Sequence, residues 1–284
     1  MQTNILNAII NIVENPISEL RNFYQSKNRA NNMGEALEEY IKDVFANTLN
    51  ENNDIRRLEI IEEVFSYLGN QNNPPDSIIH CGDAIEVKKI ESKNSGLALN
   101  SSYPKAKLFV NNKMITDKCR NCEDWDVKDI IYAVGVVNDL KLTDLCFVYG
   151  VDYAASASIY EKIKNVISQG INEIPDVEFS ETNELGRVNR VDPLGITYLR
   201  IRGMWHIENP MKTFSYAYSP KKDKEFQFMA IINTDKYNTF SNESKIKLED
   251  INKINENFNI VDIKIKTPDN PSILKNAKLI TFFR

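Results

Sequence analysis

Asp76, Glu86 and Lys88 are the residues whose types and spacing could do chemistry. Asp76-Ser77-Ile78-Ile79-His80 reads as a strand, Cys81-Gly82-Asp83 as a turn, and Ala84 to Ile90 as a second strand. Side chains alternate along a strand, so Glu86 and Lys88 share a face about 6–7 Å apart. A short antiparallel hairpin brings the Asp76 carboxylate beside that of Glu86. Two carboxylates and an ammonium then converge at one sheet edge, a set suited to phosphodiester hydrolysis. Carboxylate oxygens hold Mg²⁺, which favours oxygen ligands. The metal polarises the phosphate and acidifies water. Asp76 and Glu86 are the expected metal ligands, with the Val87 carbonyl as a further one. Lys88 positions the attacking water or offsets charge developing on phosphorus. Glu38, on the flank of a helix over 33–47, orients the water from the side.

An acid-x-Lys triplet alone says little. The chain has six: Glu86/Lys88, Glu91/Lys93, Asp126/Lys128, Asp139/Lys141, Glu243/Lys245 and Asp262/Lys264. Only the first and last sit in convincing strands, and only the first has Pro75-Asp76 upstream. A solvated, salt-bridged hairpin is the bland alternative, and such a pair stabilises little.

The elements that must position these groups follow from periodicity. Helices are expected over 3–14, 33–47 and 54–68, the last capped by Gly69. After the hairpin come strands near 129–137 and 142–151 and a helix near 156–169 capped by Gly170. Strands near 196–207, 225–233, 259–266 and 277–283 and a short helix near 247–256 complete the chain. Helices first, then a hairpin, then mixed elements predict an α/β fold with a central mixed sheet flanked by helices.

The 284 residues suffice for a substantial core. Apolar residues make up 42% and charged residues 26%, which excludes a largely disordered or collagenous chain. The longest apolar run, Ile130 to Val137, is too short to span a bilayer. The N-terminus lacks a basic region and cleavage site, and four Cys show no scaffold spacing. Both point to a cytoplasmic protein. Cys119-x-x-Cys122 has zinc spacing but lacks a second Cys pair; only His80 or His206 could complete a site, so reduced structural cysteines are the simpler reading. Neither His has a catalytic partner at a motif spacing. No Gly-rich phosphate loop occurs, which argues against an ATP-driven enzyme.

The net charge of -5 conceals segregation. Residues 34–66 carry nine acids and three bases, whereas residues 84–122 carry eight bases and three acids. Residues 187–222 carry seven bases and two acids. Two basic stretches in an acidic chain make local fields that attract phosphate; ordinary solvated lysines are the alternative.

Beyond the triplet, NRANNMGEALEEYIKD (28–43), NPPD (73–76), GDAIEVKKIES (82–92), LNSSYPK (99–105) and RIRGMWHIENP (200–210) are informative together. With Pro75-Asp76 and Glu86-x-Lys88 they resemble the NgoPII group of type II restriction endonucleases, within the PD-(D/E)xK nucleases. The resemblance covers most of the chain and is strongest up to about residue 210. It implies a restriction-endonuclease-like core and Mg²⁺-dependent cutting of double-stranded DNA at a short palindrome, GGCC. It implies one domain over 1–284, with a catalytic core at about 30–170 and DNA-recognition elaborations at about 95–125 and 185–225.

On that reading, other residues contact DNA. Arg200 and Arg202 alternate onto one face of the 196–205 strand and could present forked donors to guanine; phosphate contact or ion pairing is the alternative. Asn100, Ser101, Ser102 and Lys105 form a donor-rich loop suited to positioning the backbone. Lys89, Arg187 and Arg190 are candidates of the same kind. A palindrome is most simply read by a homodimer, each subunit cutting one strand. A restriction enzyme also implies a cognate DNA methyltransferase in the host, acting separately. A repair nuclease that reads DNA structure, or a non-catalytic DNA-binding module, would use the same residues differently.

Overall fold

Asn side chains start the N-terminal helices. Asn4 caps α1 (Ile5–Glu14) by accepting from the Leu6 and Asn7 amides, and Asn32 and Asn53 do the same for α3 (Met33–Ala46) and α4 (Asp54–Val64). Between α1 and α3 lies α2 (Leu20–Ser26). The computed structural model describes residues 3–26, 32–70, 73–99, 101–138, 141–221 and 223–284.

Helices α2, α3 and α4 are tied by a buried polar network. Arg57 of α4 donates to Asp43 at 2.7 Å and to Glu39 at 2.5 Å, and Asp43 also accepts from Tyr24 and Thr48. Removing one member of a buried ion pair leaves an uncompensated charge. Arg57→Ala should therefore lower unfolding free energy by about 3–5 kcal/mol. Urea denaturation measures this, and a loss under about 1 kcal/mol, the value of a surface pair, would refute it.

Helix α4 stops earlier than the periodicity predicts. From Phe65 the chain is extended and forms β1 (Phe65–Asn70), with Phe65 and Tyr67 buried and Leu68 exposed. This period-2 burial overrides the helical spacing of Phe65 and Leu68. Gly69 is a close-approach residue rather than a helix cap, since a Cβ there would lie 2.3 Å from the Pro75 carbonyl oxygen.

β1 pairs with β2 (Asn73–Ile79), and β2 with β3 (Ala84–Ile90). Two short strands follow, β4 (Leu97–Ala98) and β5 (Lys107–Phe109), then the long pair β6 (Val127–Asn138) and β7 (Lys141–Tyr149). β8 (Glu178–Phe179), β9 (Gly186–Asn189), β10 (Leu199–Ile201) and β11 (His206–Ile207) come next. β12 (Gln227–Asn233), β13 (Phe258–Lys266) and β14 (Leu274–Phe283) end the chain. The main sheet has nine strands in the order β1-β2-β3-β6-β7-β12-β14-β13, with β5 added to β6. β3 runs parallel to β6 and β12 parallel to β7; the other pairs are antiparallel. This is the expected mixed sheet flanked by helices.

The sheet has an apolar cluster on each face. One joins α1 and α3 to Ile85, Val87, Ile131 and Ala133; the other holds Ala84, Ile90, Tyr132 and Val134. Glu86 and Lys88 therefore face the second side. The expected strand over 196–207 is divided. β10 pairs with β9 in a three-stranded sheet, and β11 pairs with β4 in a two-stranded one. The partners differ, so the alternation of 196–207 never becomes one ladder. The helix expected near 156–169 spans Ala157–Asn172, and the one near 247–256 spans Asn242–Ile254. Among the described residues no helix is long and apolar enough to cross a membrane.

Candidate active site

In the β2–β3 hairpin Ser77 lies opposite Ile85 and Ile78 opposite Ala84. This register sets Asp76 against Glu86. Backbone pairing ends there, and the Asp76 carboxylate instead accepts a 2.6 Å hydrogen bond from the Val87 amide. The N–H and C=O of a strand residue point to the same side, so the Val87 carbonyl faces the Asp76 side. Lys88 Nζ lies 2.6 Å from Glu86 Oε1. Glu86 Oε2 is buried and, among the described residues, has no hydrogen-bond partner.

The electrostatics follow from this crowding. Burial, then the Glu86 charge, push the Asp76 carboxyl up to about 7, against the pull of Lys88 and the Val87 amide. Burial alone would depress the Lys88 ammonium, but Glu86 and Asp76 hold it above its ordinary value. Glu38 projects from α3, which packs on β3. Burial raises its carboxyl, and Lys42 and Lys88 oppose the rise. Its charge is felt by both Asp76 and Lys88.

Asp76, Glu86 and Lys88 line a cleft of about 780 Å³ together with Ser101, Ser102, Lys105 and Arg202, whereas Glu38 and Arg200 are not part of its lining. Lys105 is only 6% exposed. Its ammonium donates to Ser102 Oγ, and burial drives its pKa down to about 8. Arg200 and Arg202 both bond Glu184, so they share a side as the alternation predicts. Lys89 pairs with Glu91 at 3.2 Å, Arg190 with Glu178 at 3.0 Å, and Arg187 lies over the Tyr198 ring. None of these three lines the cleft. Asn100 lies outside the described residues.

Tyr132, Lys113 and Glu184 line the cleft without having been singled out by sequence. Tyr132 stands opposite Glu86 on the parallel neighbour β6, and its hydroxyl accepts from the Lys105 amide at 2.7 Å. A parallel pairing between segments 46 residues apart leaves no local signal. Glu184 did leave one, as the acid at the head of the basic loop ELGRVNRVDP.

Among the described residues, Cys119 and Cys122 belong to no metal-compatible cluster. Cys119 is buried in the apolar core. Among the described residues, the metal-compatible cluster of His, Cys and acidic side chains is His80, Cys81 and Glu123. His206 lies apart, on β11.

Asp76 and Glu86 supply hard oxygen donors, and Glu86 Oε2 is buried without a hydrogen-bond partner among the described residues. That donor set fits a divalent ion of the Mg²⁺ type.

The same residues lie inside a wider likeness. The family model for the NgoPII restriction endonuclease matches residues 3–266. The type II restriction enzyme NgoPII of Neisseria gonorrhoeae is 55% identical over 280 residues, covering 98% of this chain and 99% of that protein. No solved structure matches the chain. The match takes in α3, the β2–β3 hairpin, the buried lysine loop and the arginine strand together, and the chain belongs to the NgoPII restriction endonuclease family.

Proposed function

We propose that this restriction endonuclease hydrolyses both strands of duplex DNA with Mg²⁺ at a short palindrome, GGCC, using Asp76, Glu86 and Lys88. The observation that carries this reading is the half-buried carboxylate pair, in which Glu86 Oε1 lies 2.6 Å from Lys88 Nζ while Glu86 Oε2 is buried without a hydrogen-bond partner among the described residues. DNA is the substrate, and restriction enzymes of this type generally use divalent metal ions. Asp76 and Glu86 would hold the ion, with the Val87 carbonyl as a further oxygen. When bound, Mg²⁺ supplies polarisation of the phosphate and a lowered pKa for water.

The chain's own residues do the rest. The Val87 amide fixes one Asp76 oxygen, so the carboxylate cannot swing out of the cleft. Lys88 is cationic and sits at the mouth of the pair, where it orients the attacking water and offsets negative charge developing on phosphorus. Glu38 orients that water from the α3 side. Attack in line with the leaving 3′-oxygen leaves 5′-phosphate and 3′-hydroxyl ends. Lys105, with Ser101 and Ser102, contacts the DNA backbone at the cleft wall. Arg200 and Arg202 present donors to guanine, and Lys89, Arg187 and Arg190 contact the backbone farther out. A homodimer supplies the second cutting centre, and a separate methyltransferase of the same specificity protects the host.

Digestion of unmethylated phage DNA with and without Mg²⁺, followed by sequencing of every end, tests the reading. Discrete Mg²⁺-dependent ends sharing GGCC are expected. Ends sharing another palindrome would refute the target alone. Scattered cuts, or cutting confined to branched duplexes, would refute site-specific cleavage.

A further inference from the structure

Glu184 holds two arginines at once. It lies in the turn between β8 and β9, and both of its carboxylate oxygens are used. Oε1 accepts from Arg200 Nη2 at 2.8 Å and from Arg202 Nε at 2.5 Å, and Oε2 accepts from Arg200 Nε at 3.2 Å. The side chain of Glu184 is 15% exposed, whereas those of Arg200 and Arg202 are 51% and 60% exposed. The carboxylate thus lies beneath two cations that reach outward.

The turn carrying Glu184 is itself anchored on both sides. Lys164 of the helix Ala157–Asn172 donates to the Asn183 carbonyl at 3.0 Å, and Ser168 of that helix donates to the Leu185 carbonyl at 2.7 Å. The Leu185 amide donates to the Ile201 carbonyl at 3.1 Å. A carboxylate fixed in this way defines where the guanidinium planes lie. It takes the Nε edge of each arginine. Among the described residues, both terminal nitrogens of Arg202 and Nη1 of Arg200 remain without partners. A guanidinium held by its Nε edge offers its end-on fork, the geometry that pairs with guanine O6 and N7. Two adjacent guanidiniums would otherwise repel, and the shared carboxylate offsets this. Glu184 and Arg202 also line the cleft that holds Asp76, Glu86 and Lys88.

We infer that Glu184 is a positioning residue for base specificity, holding Arg200 and Arg202 so that their outer donors meet guanine edges beside the cutting centre. This rests on the reading that the two arginines contact bases. A pair this exposed adds little stability, so its effect should lie in discrimination. A carboxylate that merely occupied the arginines until a DNA phosphate displaced it would behave differently.

The experiment compares Glu184→Gln, Glu184→Asp, Arg200→Ala and Arg202→Ala with the parent full-length enzyme. Single-turnover cutting is measured with Mg²⁺ on a duplex carrying the palindrome found by end sequencing, and on duplexes with one base pair of it changed. Binding to an unrelated duplex is measured with Ca²⁺. Gln keeps the shape but loses the charge. Cutting of the cognate duplex by Glu184→Gln should fall by about ten- to hundredfold. Cutting of the changed duplexes should fall far less, so the ratio between them shrinks. Glu184→Asp should recover part of the ratio. Binding to unrelated duplex should stay level or tighten. A fall shared equally by all duplexes would mark a structural role and overturn the inference. Faster cutting of every duplex by Glu184→Gln would favour the displaced-carboxylate behaviour and overturn it too. If the arginine variants lose discrimination and Glu184→Gln does not, the inference fails while base reading by the arginines stands. If neither arginine variant loses discrimination, both fail together.

Discussion

Lys88→Ala enzyme should bind duplex DNA and fail to cut it, with single-turnover cleavage reduced by at least about 10³-fold. The side chain is 24% exposed and points its ammonium at Glu86, so truncation removes the one cation within hydrogen-bond reach of the carboxylate pair among the described residues. No neighbour can replace it. Lys105 is buried against Ser102. Lys89 points to the opposite face and pairs with Glu91. Lys88→Arg should not restore activity, because a planar guanidinium cannot place a compact charge where the ammonium was. DNA affinity should change little, since the phosphate contacts proposed above fall mostly on other residues. A gel-shift titration in Ca²⁺, run beside cleavage in Mg²⁺, separates the two effects. Cutting by folded Lys88→Ala protein at near the parent rate would remove Lys88 from the chemistry.

Asp76→Asn should be inactive and, without metal, more stable than the parent above pH 7. The sign follows from linkage. In the unfolded chain Asp76 ionises near its ordinary value of about 3.9. In the fold, burial and Glu86 raise it to about 7. Between those values the native state binds the extra proton, so stability falls as pH rises and the loss is complete above about 7. Asn carries no charge to lose and can still accept from the Val87 amide. Metal-free Asp76→Asn should therefore gain about 1–3 kcal/mol at pH 8 and nothing below about pH 4. Mg²⁺ should raise the melting temperature of the parent and leave the variant unmoved. Calorimetry near pH 7 should detect proton release as the parent binds Mg²⁺. A variant that melts below the parent at pH 8 without metal would contradict this account. Such stability given up at an active site is a common trade-off.

The meeting of Asp76, Glu86 and Lys88 was legible because it is local. Asp76, Glu86 and Lys88 lie in one hairpin, and strand alternation with a short turn brings them together. The long central strands were legible for the same reason, through continuous apolar runs. What sequence could not supply was pairing at a distance. Tyr132 faces Glu86 only because β3 and β6 run parallel. Leu199–Ile201 and His206–Ile207 look like one strand until their different partners divide them. Phe65 and Leu68 fit a helix by spacing and a strand by burial, and the edge pairing with β2 decided between them. Lys105 read as a surface contact because lysine is rarely buried. The cleft wall that encloses it forms only when the loop packs over β6.

The carboxylate in the middle of β2 takes the place of a ladder bond. β1 and β2 form the hairpin at one edge of the sheet, and β2 meets β3 at only two registered positions. In hydrogen-exchange terms this is a unit that can open while β6 and β7 stay closed. An opening would part Asp76 from Glu86. An ion shared by the two residues would bind one strand to the next and lengthen the closed intervals. Exchange at the Val87 amide should then slow when Mg²⁺ is added, while amides deep in β7 stay unchanged. On that view an ion bound for the cut would also fasten the edge that holds it.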